Sequence, residues 1–508
     1  MNTGRNKTRP NIVLILIDTL RADRLSCYGY GRQTTPFMDR IAEQGVLYER
    51  AISAAAWTPP SHASIFTGVY PSRHGVELSH LVLGPDLSPL PEMLRRHGYR
   101  TFCVSSNYWL SRETRFDRGF DRFVHSWQLV QTSGTNQALK RQQRKQAVGL
   151  EPAANGTSTK RRLLLEAGNS ANWLFERATK KLRRSFNAYD DGAWRVNRHI
   201  ARWASDWKRM EQPFFAFVHY MEPHIRYAAP GRYRTMHVPP GTDPTRINKV
   251  NQDPWRYLAG RADMGAEDLA ILGGLYDGEV SYVDYRVGQL YTLLSDEGLL
   301  RDTLFIITSD HGENLGDHNL MSHSYCLYDT LLHVPLIVHY PPEFPPGQRI
   351  STQVQTVDLF PTILDLADIR DVQAWDQAQG QSLIHTTGSS GSGRLVFSEY
   401  LEPEPSLSVL TGRYPGFDAS PYDRALRSVR TASHKYISAS DGRAELYDLA
   451  RDPHEEGNLI SIETETAHQL RTSLEEWSSS FEHASRAEPN IEIDSDMRKR
   501  LEDLGYLA

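Results

Sequence analysis

The chain has 508 residues, and its 57 Lys and Arg against 62 Asp and Glu leave a net charge of −5. This length allows a large core and favours two domains, while the charge balance excludes a polyanion such as nucleic acid as a partner of the whole molecule. The cysteines are sparse and lack metal-ligand spacing, which predicts a reducing compartment. The apolar run Ile12 to Ile17 is too short for a membrane span or a signal peptide, so we expect a cytoplasmic protein with no transmembrane segment.

The stretch from Asn11 to Asp18 is a continuous run of aliphatic residues that ends in a carboxylate. Continuous apolarity predicts a strand buried on both faces, as in a parallel α/β sheet. Helical patterns follow at Pro36 to Tyr48 and at Leu87 to His97, and a second strand pattern follows at Tyr99 to Ser105. This order predicts a doubly wound, mostly parallel α/β sheet. The carboxylate would lie at the carboxyl end of its strand, where open α/β sheets bind ligands.

The stretch from Ala56 to Gly68 places a hydroxyl residue, Thr58, before two prolines and a run that can form a helix. Proline early in a helix has a preset φ and no N–H to leave unpaired, so the pattern predicts Thr58 as the cap of a helix N-terminus. An oxyanion bound there would meet free backbone N–H groups and the positive end of the helix dipole. Taken by itself, the motif fits an ordinary helix cap equally well.

Residues 132–187 are rich in Lys and Arg and poor in acids, with turn-forming residues in the middle. We interpret this segment as a basic insertion with two helical pieces. Two roles are open for it: the solvated edge of a lid, or the attraction of an anionic substrate.

Two later apolar runs, Pro213 to His219 and Thr303 to Thr308, predict further buried strands. The first leads to His224, and the second leads directly to Asp310 and His311. Because the carboxyl ends of parallel strands meet at one edge of a sheet, we expect these side chains to lie near the first strand's carboxylate and the helix that follows it.

Asp18, Asp310 and His311 together offer two carboxylates and an imidazole, a mixed set that suits one divalent ion. Manganese and zinc match the imidazole best, while magnesium and calcium also stay open. Either carboxylate alone would fit a helix cap or a turn. Their shared position at strand ends favours the metal site.

Residues 377–394 are rich in Gly, Ser and Thr, which predicts a linker or exposed loop. The linker would separate a catalytic domain at 1–376 from a smaller α+β domain at 395–508. Four short strand patterns and a helix from about Thr464 to Phe481 predict an antiparallel sheet closed by a helix. The strand patterns are Leu395 to Tyr400, Ala425 to Thr431, Lys435 to Ser438 and Glu445 to Leu449.

Five motifs resemble, in order, those of the sulfatases of the alkaline phosphatase superfamily. They are Ile15 to Asp23, Thr58 to Gly68, Glu222 to His224, Ser309 to Glu313 and Glu445 to Pro453. The resemblance runs from about Asn11 to Leu459 and fails mainly in the basic insertion. It implies the sulfatase fold, with a small sheet domain that walls the cleft, and metal-dependent cleavage of ester bonds.

The nucleophile motif departs from the family pattern. In sulfatases a Cys or Ser, oxidised to formylglycine, precedes x-Pro-Ser-Arg. Here Thr58 stands at the nucleophile position and His62 replaces the arginine. Threonine is not a substrate for that maturation, so each departure weakens the expectation of arylsulfatase activity.

The remaining site residues are also carried over from the resemblance. Asp18, Asp310 and His311 match metal ligands, and Thr58 would join them as in superfamily members with a metal-bound threonine. Thr19 replaces the second aspartate that sulfatases usually have at this place. Asn107 and His323 stand near the positions of substrate-binding lysines. These matches imply a metal centre and two further substrate contacts.

A threonine at the nucleophile position favours phosphorus esters over sulfate esters as the expected substrates. Formylglycine hydrate releases its sulfate by eliminating the second hydroxyl, and a threonine sulfate cannot be cleaved in this way. A threonine phosphate can be cleaved, because water can attack phosphorus. We therefore expect a hydrolase of phosphate esters or diesters, or of sulfate esters, with phosphorus favoured and a metal-activated Thr58 as nucleophile.

Four residues are expected to assist that nucleophile. His323 or His224 would protonate the leaving group, and His62 and Asn107 would contact the substrate. His224 could instead be a core histidine, His323 a surface histidine, and His62 a residue that only packs.

Two other classes of function are open. One is a transferase that moves a phosphoryl-linked group to an alcohol, and the other is a binding protein with a sulfatase fold and no catalysis. A complete carboxylate cluster speaks against the second, since without a metal the carboxylates would repel each other. The expected substrate is an anionic small-molecule, glycan or lipid-headgroup ester, and the sequence leaves the oligomeric state open.

Overall fold

The computed structural model describes residues 9–128, 190–386, 393–403 and 406–484. The basic insertion predicted at 132–187 lies outside the described residues. The first part of the predicted linker is described, and it packs against the large sheet domain. There Leu383 is buried, and its backbone N–H donates to the hydroxyl of Thr362 at 2.8 Å. This part of the predicted linker is therefore not an exposed loop.

The strands are β1 (Asn11–Ile17), β2 (Val46–Ile52), β3 (Arg100–Ser105), β4 (Arg122–His125), β5 (Phe214–Tyr220), β6 (Thr303–Ser309), β7 (Asn314–Leu315), β8 (Met321–Ser322), β9 (His333–His339), β10 (Gln348–Ile350), β11 (Val354–Gln355), β12 (Val396–Tyr400), β13 (Leu426–Arg430), β14 (His434–Ala439) and β15 (Ala444–Asp448).

The α-helices are α1 (Pro36–Glu43), α2 (Thr58–Thr67), α3 (Pro71–His74), α4 (Leu90–Arg96), α5 (Ala193–Trp207), α6 (Pro244–Lys249), α7 (Pro254–Leu258), α8 (Ala266–Asp296), α9 (Asp329–Leu332), α10 (Leu359–Leu366), α11 (Val372–Gln377), α12 (Ser406–Arg413) and α13 (Thr464–Ser479). In the described part of the chain, none of them combines the length and the apolarity that a membrane crossing requires.

The large sheet has nine strands in the order β10-β2-β9-β6-β1-β5-β3-β4, with β11 also paired to β2. β1 is parallel to both of its neighbours, β5 and β6, and β9 is antiparallel to β2 and β6. The odd-numbered residues from Val13 to Ile17 pack against α1, α5 and α8, and the even-numbered residues from Ile12 to Leu16 pack against α2, α4 and α10. The predicted doubly wound, mostly parallel sheet is confirmed.

The helix predicted at Pro36 to Tyr48 is wrong in its second half. The helix ends at Glu43, and β2 begins at Val46. A Cβ atom at Gly45 would lie 2.4 Å from the carbonyl oxygen of Val338, so β9 passes too close for a larger residue. Pairing with a strand that is distant in the sequence has overridden the local helical spacing.

The strands after residue 395 form a small antiparallel sheet in the order β12-β13-β14-β15, and α13 covers one of its faces. This confirms the predicted sheet and helix. The small sheet contacts the segment that leads into α2. The Glu399 N–H donates to the carbonyl of Ala54 at 2.9 Å, and the Ser398 hydroxyl donates to the carbonyl of Ser53 at 2.6 Å. The beginning of α2 is thus held from both sheets.

A buried ion cluster also joins the two sheets. Lys435 on β14 lies 2.7 Å from Asp329 Oδ1 and 2.5 Å from Glu455 Oε1, and Arg430 pairs with the same aspartate. The exposed fraction of both Lys435 and Glu455 is 1%. Removal of one partner from such a cluster leaves a charge buried without compensation.

We expect Lys435→Ala to lower the free energy of unfolding by about 3 to 5 kcal/mol, because Glu455 would lose its buried cation. The thermal midpoint at neutral pH measures this loss. Arg451→Ala, which removes an 85% exposed partner of Asp448, is the control and should barely move the midpoint. Equal shifts in the two variants would contradict the expectation.

Candidate active site

Three of the predicted metal ligands meet at the carboxyl ends of β1 and β6. One ligand atom from each of Asp18, Asp310 and His311 lies within 4.8 Å of the other two, and all three residues are fully buried. β1 and β6 are paired in parallel with Ile17 opposite Ser309, so the next residues on both strands lie together. We call Asp18, Asp310 and His311 the metal-ligand cluster.

Each carboxylate of the cluster has one oxygen held by the protein and one oxygen left without a hydrogen bond. Asp18 Oδ2 accepts from Asn107 Nδ2 at 2.8 Å, and Asp310 Oδ1 accepts from the backbone N–H of His311 at 2.9 Å. Asp18 Oδ1 and Asp310 Oδ2 are buried and have no hydrogen-bond partner among the described residues. Unpaired buried carboxylate oxygens are costly, so the arrangement fits a cation held between them.

The imidazole of His311 completes this donor set. Its Nδ1 lies 2.9 Å from the carbonyl oxygen of Gly312, which can only accept, so Nδ1 carries the proton and Nε2 the lone pair. Nε2 lies 3.3 Å from Asp310 Oδ2 and 4.0 Å from Asp18 Oδ1. Burial lowers the pKa of His311 to about 4, which keeps the ring neutral, and raises that of Asp310 to about 7. Two oxygens and one neutral nitrogen suit a divalent ion.

Thr58 lies beside the metal-ligand cluster at the start of α2. Its Oγ1 is 3.2 Å from His311 Nε2, and the residue is fully buried. The helix begins at Thr58 itself, and Trp57 occupies the cap position. The predicted capping role is therefore wrong by one residue, but the predicted closeness to the cluster is confirmed.

The helix N-terminus offers fewer donors than the sequence analysis expected. Pro59 and Pro60 are the second and third helical residues, and neither has a backbone N–H. The N–H of the next residue, Ser61, already donates to the carbonyl of Trp57 at 3.2 Å. An anion at this end of α2 would meet the helix dipole but would find little backbone N–H to bind.

His62 is buried behind Thr58. Its Nδ1 lies 2.9 Å from the Thr58 carbonyl oxygen and 3.5 Å from Asp310 Oδ2. The structure thus places His62 against a metal ligand and the first turn of its own helix. A direct contact with substrate stays a prediction.

Asn107 follows β3, and both ends of its amide are bound by the protein. Nδ2 donates to Asp18 Oδ2 at 2.8 Å, and Oδ1 accepts from the backbone N–H of Trp109 at 2.8 Å. These bonds fix the orientation of the amide beside the metal-ligand cluster. Its predicted contact with substrate also stays a prediction.

His224 and His323, the two predicted acids, lie next to each other and to the cluster. The ring of His323 is 5.1 Å from that of His224 and 4.7 Å from that of His311, between centroids. His323 Nδ1 is 3.3 Å from Glu313 Oε1, and burial raises the pKa of Glu313 to about 7. His224 Nδ1 donates to the carbonyl of Ile225 at 2.8 Å. The structure brings both histidines to the site. His323 is buried, so its alternative as a surface histidine is wrong, while the alternative of a core histidine stays open for His224.

Two residues of the site were not singled out as functional from the sequence. His219, within β5, has its Nε2 3.3 Å from Asp18 Oδ2. Thr19 has a φ of 56°, and its backbone N–H donates to Asp310 Oδ1 at 3.3 Å. A β-branched residue in the left-handed region is strained, and such strain concentrates at functional sites. The sequence signal for His219 was a histidine inside an otherwise apolar strand, and that for Thr19 was its place where the family pattern has an aspartate.

A family model described as Sulfatase matches residues 10–369. This chain belongs to the sulfatase family. A second model, of the C-terminal region of N-sulphoglucosamine sulphohydrolase, matches residues 316–480. Sulfatases are ester hydrolases that generally use a divalent metal, and this sulfatase-family chain is an ester hydrolase with a candidate metal site at the expected strand ends.

The chain is 24% identical over 461 residues to the sulfatase YidJ of Escherichia coli strain K12. The aligned region covers 89% of this chain and 83% of that protein. Among solved structures it is similar to the phosphonate monoester hydrolase of Agrobacterium radiobacter, with a TM-score of 0.65, 22% identity and coverage of 92% of this chain and 95% of that one. For the phosphonate monoester hydrolase SpPMH from Silicibacter pomeroyi, the TM-score is 0.62 and the identity is 22%. That match covers 96% of this chain and 98% of the hydrolase. At these identities the two structures show the shared fold.

We expect Gly312→Ala to damage the site and lower the stability of the sulfatase domain. A Cβ atom at Gly312 would lie 2.0 Å from the carbonyl oxygen of Thr330, and relief of that clash would move His311. The expected loss is about 3 kcal/mol or more, measured as a fall in the thermal midpoint. Gly84→Ala, where a Cβ atom meets nothing within 4 Å, is the control. A Gly312→Ala protein with the midpoint of the control would contradict this reading of the close contact.

Proposed function

We propose that this sulfatase-family hydrolase cleaves a phosphorus ester that carries one negative charge, such as a phosphate diester or a phosphonate monoester, with Thr58 as the nucleophile. The observation that carries the proposal is the position of the Thr58 hydroxyl, 3.2 Å from His311 Nε2 and beside the two unpaired carboxylate oxygens. The similarity in fold to two phosphonate monoester hydrolases supports the same direction.

A threonine nucleophile favours phosphorus esters over sulfate esters as substrates. A threonine has one hydroxyl, so a sulfated Thr58 has no second hydroxyl through which to eliminate sulfate. Release would then require water to attack sulfur. A phosphorylated Thr58 is released when water attacks phosphorus, so the enzyme would turn over.

The charge of the site favours a substrate group with a single negative charge. Within the described ranges, no lysine or arginine makes an ion pair or hydrogen bond with the metal-ligand cluster or with Thr58. Burial lowers the pKa of His323 to about 3 and that of His219 to about 4, so these rings add no positive charge at neutral pH. A phosphate monoester dianion would bring a second negative charge that the described groups do not balance.

Asp18, Asp310 and His311 would hold the divalent ion, with manganese or zinc best matched to the imidazole. When bound, the ion would lower the pKa of the Thr58 hydroxyl and neutralise a non-bridging oxygen of the substrate. The protein side chains fix the carboxylates and the imidazole in place, and their burial keeps water away from the nucleophile.

The reaction by the chain's own residues has two steps. Thr58 Oγ1, after giving its proton to solvent, forms a bond to phosphorus while the ester bond to the leaving oxygen breaks, and His323 or His224 donates the proton on its ring to that oxygen. The same ring nitrogen then accepts a proton from the water that attacks the phosphothreonine, and Thr58 leaves as the alkoxide. The contact with Glu313 supports His323 as the acid: burial keeps the imidazole neutral and raises the pKa of Glu313 to about 7, so Glu313 can pass a proton to Nδ1, 3.3 Å from its Oε1, as Nε2 releases its own.

The experiment that tests the proposed function compares nitrophenyl sulfate, phosphate monoester, phosphate diester and phosphonate monoester, with manganese-loaded wild type and Thr58→Ala. We expect the diester or the phosphonate ester to be cleaved fastest. Thr58→Ala should lower kcat/KM for it by more than about a thousandfold, because the nucleophile is lost. Thr58→Ser keeps the hydroxyl and serves as the matched control.

Sulfate cleavage that survives in Thr58→Ala would contradict the threonine mechanism. Product analysis with an added alcohol separates hydrolysis from transfer: a new diester that carries the added alcohol, in place of the phosphate monoester that hydrolysis of the diester releases, would indicate the transferase alternative.

A second prediction concerns the leaving group. His323→Asn should lower kcat/KM about 100- to 10,000-fold for a diester with an alkyl leaving group, which needs a proton. The same variant should change kcat/KM little for nitrophenolate, which leaves as an anion, because kcat/KM reports the first step and not the later attack of water. The slope of log kcat/KM against leaving-group pKa measures the difference, with His224→Asn measured alongside. An unchanged slope in His323→Asn together with a steeper one in His224→Asn would assign the acid to His224 instead.

A further inference from the structure

His219 is a buried histidine for which the reaction proposed above has no use. It lies near the end of β5 and is fully buried. Its Nε2 approaches Asp18 Oδ2 to 3.3 Å, while neither ring nitrogen makes a hydrogen bond within the described residues. A buried ring nitrogen without a partner is costly, so the contact with the carboxylate calls for a functional reason.

The sheet register makes this contact specific. β5 is the parallel neighbour of β1, with His219 opposite Leu16, and the backbone N–H of Asp18 donates to the carbonyl of Tyr220 at 3.0 Å. The same strand therefore holds the backbone of Asp18 and presents an imidazole to its side chain. From the next strand, β3, Asn107 Nδ2 donates to the same oxygen, Oδ2.

We propose that His219 is a positioning residue that, together with Asn107, holds Asp18 Oδ2 and so directs Asp18 Oδ1 at the metal ion. Oδ1 is the oxygen of this carboxylate without a hydrogen bond in the described part of the chain. The inference rests on the part of the proposed function that makes Asp18 a metal ligand. It does not depend on the choice between phosphorus and sulfur esters.

A second imidazole lies beside the other carboxylate, but it faces the oxygen without a hydrogen bond in the described chain, Asp310 Oδ2, so its contact differs from that of His219. His62 packs beside His219, with ring centroids 5.4 Å apart, and its Nδ1 lies 3.5 Å from Asp310 Oδ2. The two imidazoles form a layer against both carboxylates of the metal-ligand cluster. Partners of metal ligands that lie outside the coordination shell orient those ligands and set metal affinity.

A neutral donor suits this position better than a charged one. A neutral imidazole can offer its Nε2 hydrogen to Asp18 Oδ2, 3.3 Å away, without adding charge. A lysine or arginine here would neutralise Asp18 and weaken its attraction for the ion. The imidazole fixes the carboxylate and leaves its negative charge for the metal.

The test uses metal-stripped full-length protein and titrates it with Mn²⁺ by isothermal calorimetry. His219→Gln carries an amide N–H near the position of Nε2, His219→Asn is too short to reach, and His219→Leu fills the space without a donor. His199→Asn is the control, because His199 is a buried histidine on α5 that packs against Trp203. The thermal midpoint of each metal-free protein reports its fold.

We expect one Mn²⁺ per chain in the wild type and an affinity about 10- to 100-fold weaker in His219→Leu and His219→Asn. His219→Gln should bind within a few-fold of the wild type, and His199→Asn should bind as the wild type does. Excess Mn²⁺ should restore the activity of His219→Leu, as expected of a residue that acts through the metal site.

Three results would overturn the inference. The first is wild-type affinity in His219→Leu. The second is a similar loss of Mn²⁺ affinity in His219→Gln, His219→Asn and His219→Leu, together with a lower thermal midpoint of the metal-free proteins. That result would make His219 a packing residue. The third is a second bound Mn²⁺ in the wild type that His219→Leu loses, which would make His219 a ligand. A wild type that binds no Mn²⁺ would instead refute the metal site of the proposed function.

Discussion

The site depends on one constraint: two carboxylates share a fully buried space. Each of them has one oxygen bound by the protein and one oxygen left unpaired. Parallel pairing of β1 with β6 forces Asp18 and Asp310 together, and their charges repel in a medium of low dielectric constant. The surroundings relieve this only in part, because the groups that touch the pair in the described chain are neutral imidazoles, an amide, hydroxyls and backbone N–H groups. Such a pair is stable when a cation completes it.

Thr58, the proposed nucleophile, lies beside the same pair of carboxylates. α2 begins at the metal-ligand cluster, and its prolines remove the backbone donors with which a helix N-terminus usually binds anions. In the proposed reaction, charge on the substrate would therefore be met by a bound ion and by side chains. The site relies on oriented groups from different strands, so its geometry is a property of the sheet rather than of one loop.

Much of the site could be predicted from the sequence, since in a parallel sheet a polar residue just after a buried strand lies at the ligand-binding edge. Asp18, Asp310 and His311 follow this rule. The rest depended on contacts between distant residues. Gly45 lies after the end of α1, where β9 passes too close for a side chain, and His219 has no apparent role in the sequence until β5 is paired with β1. The burial of Glu313 and the left-handed backbone of Thr19 likewise have no local sequence signal.

The contact between the two sheets has a consequence for biosynthesis. The hydrogen bond from Ser398 to Ser53 spans 345 residues, so the segment that leads into Thr58 leaves the ribosome long before its partner strand exists. At about 5 to 20 residues per second, that delay is roughly 20 to 70 s. During this time the segment before α2 lacks its contact with the small sheet. The beginning of α2 therefore completes its contacts only after the last strands are made.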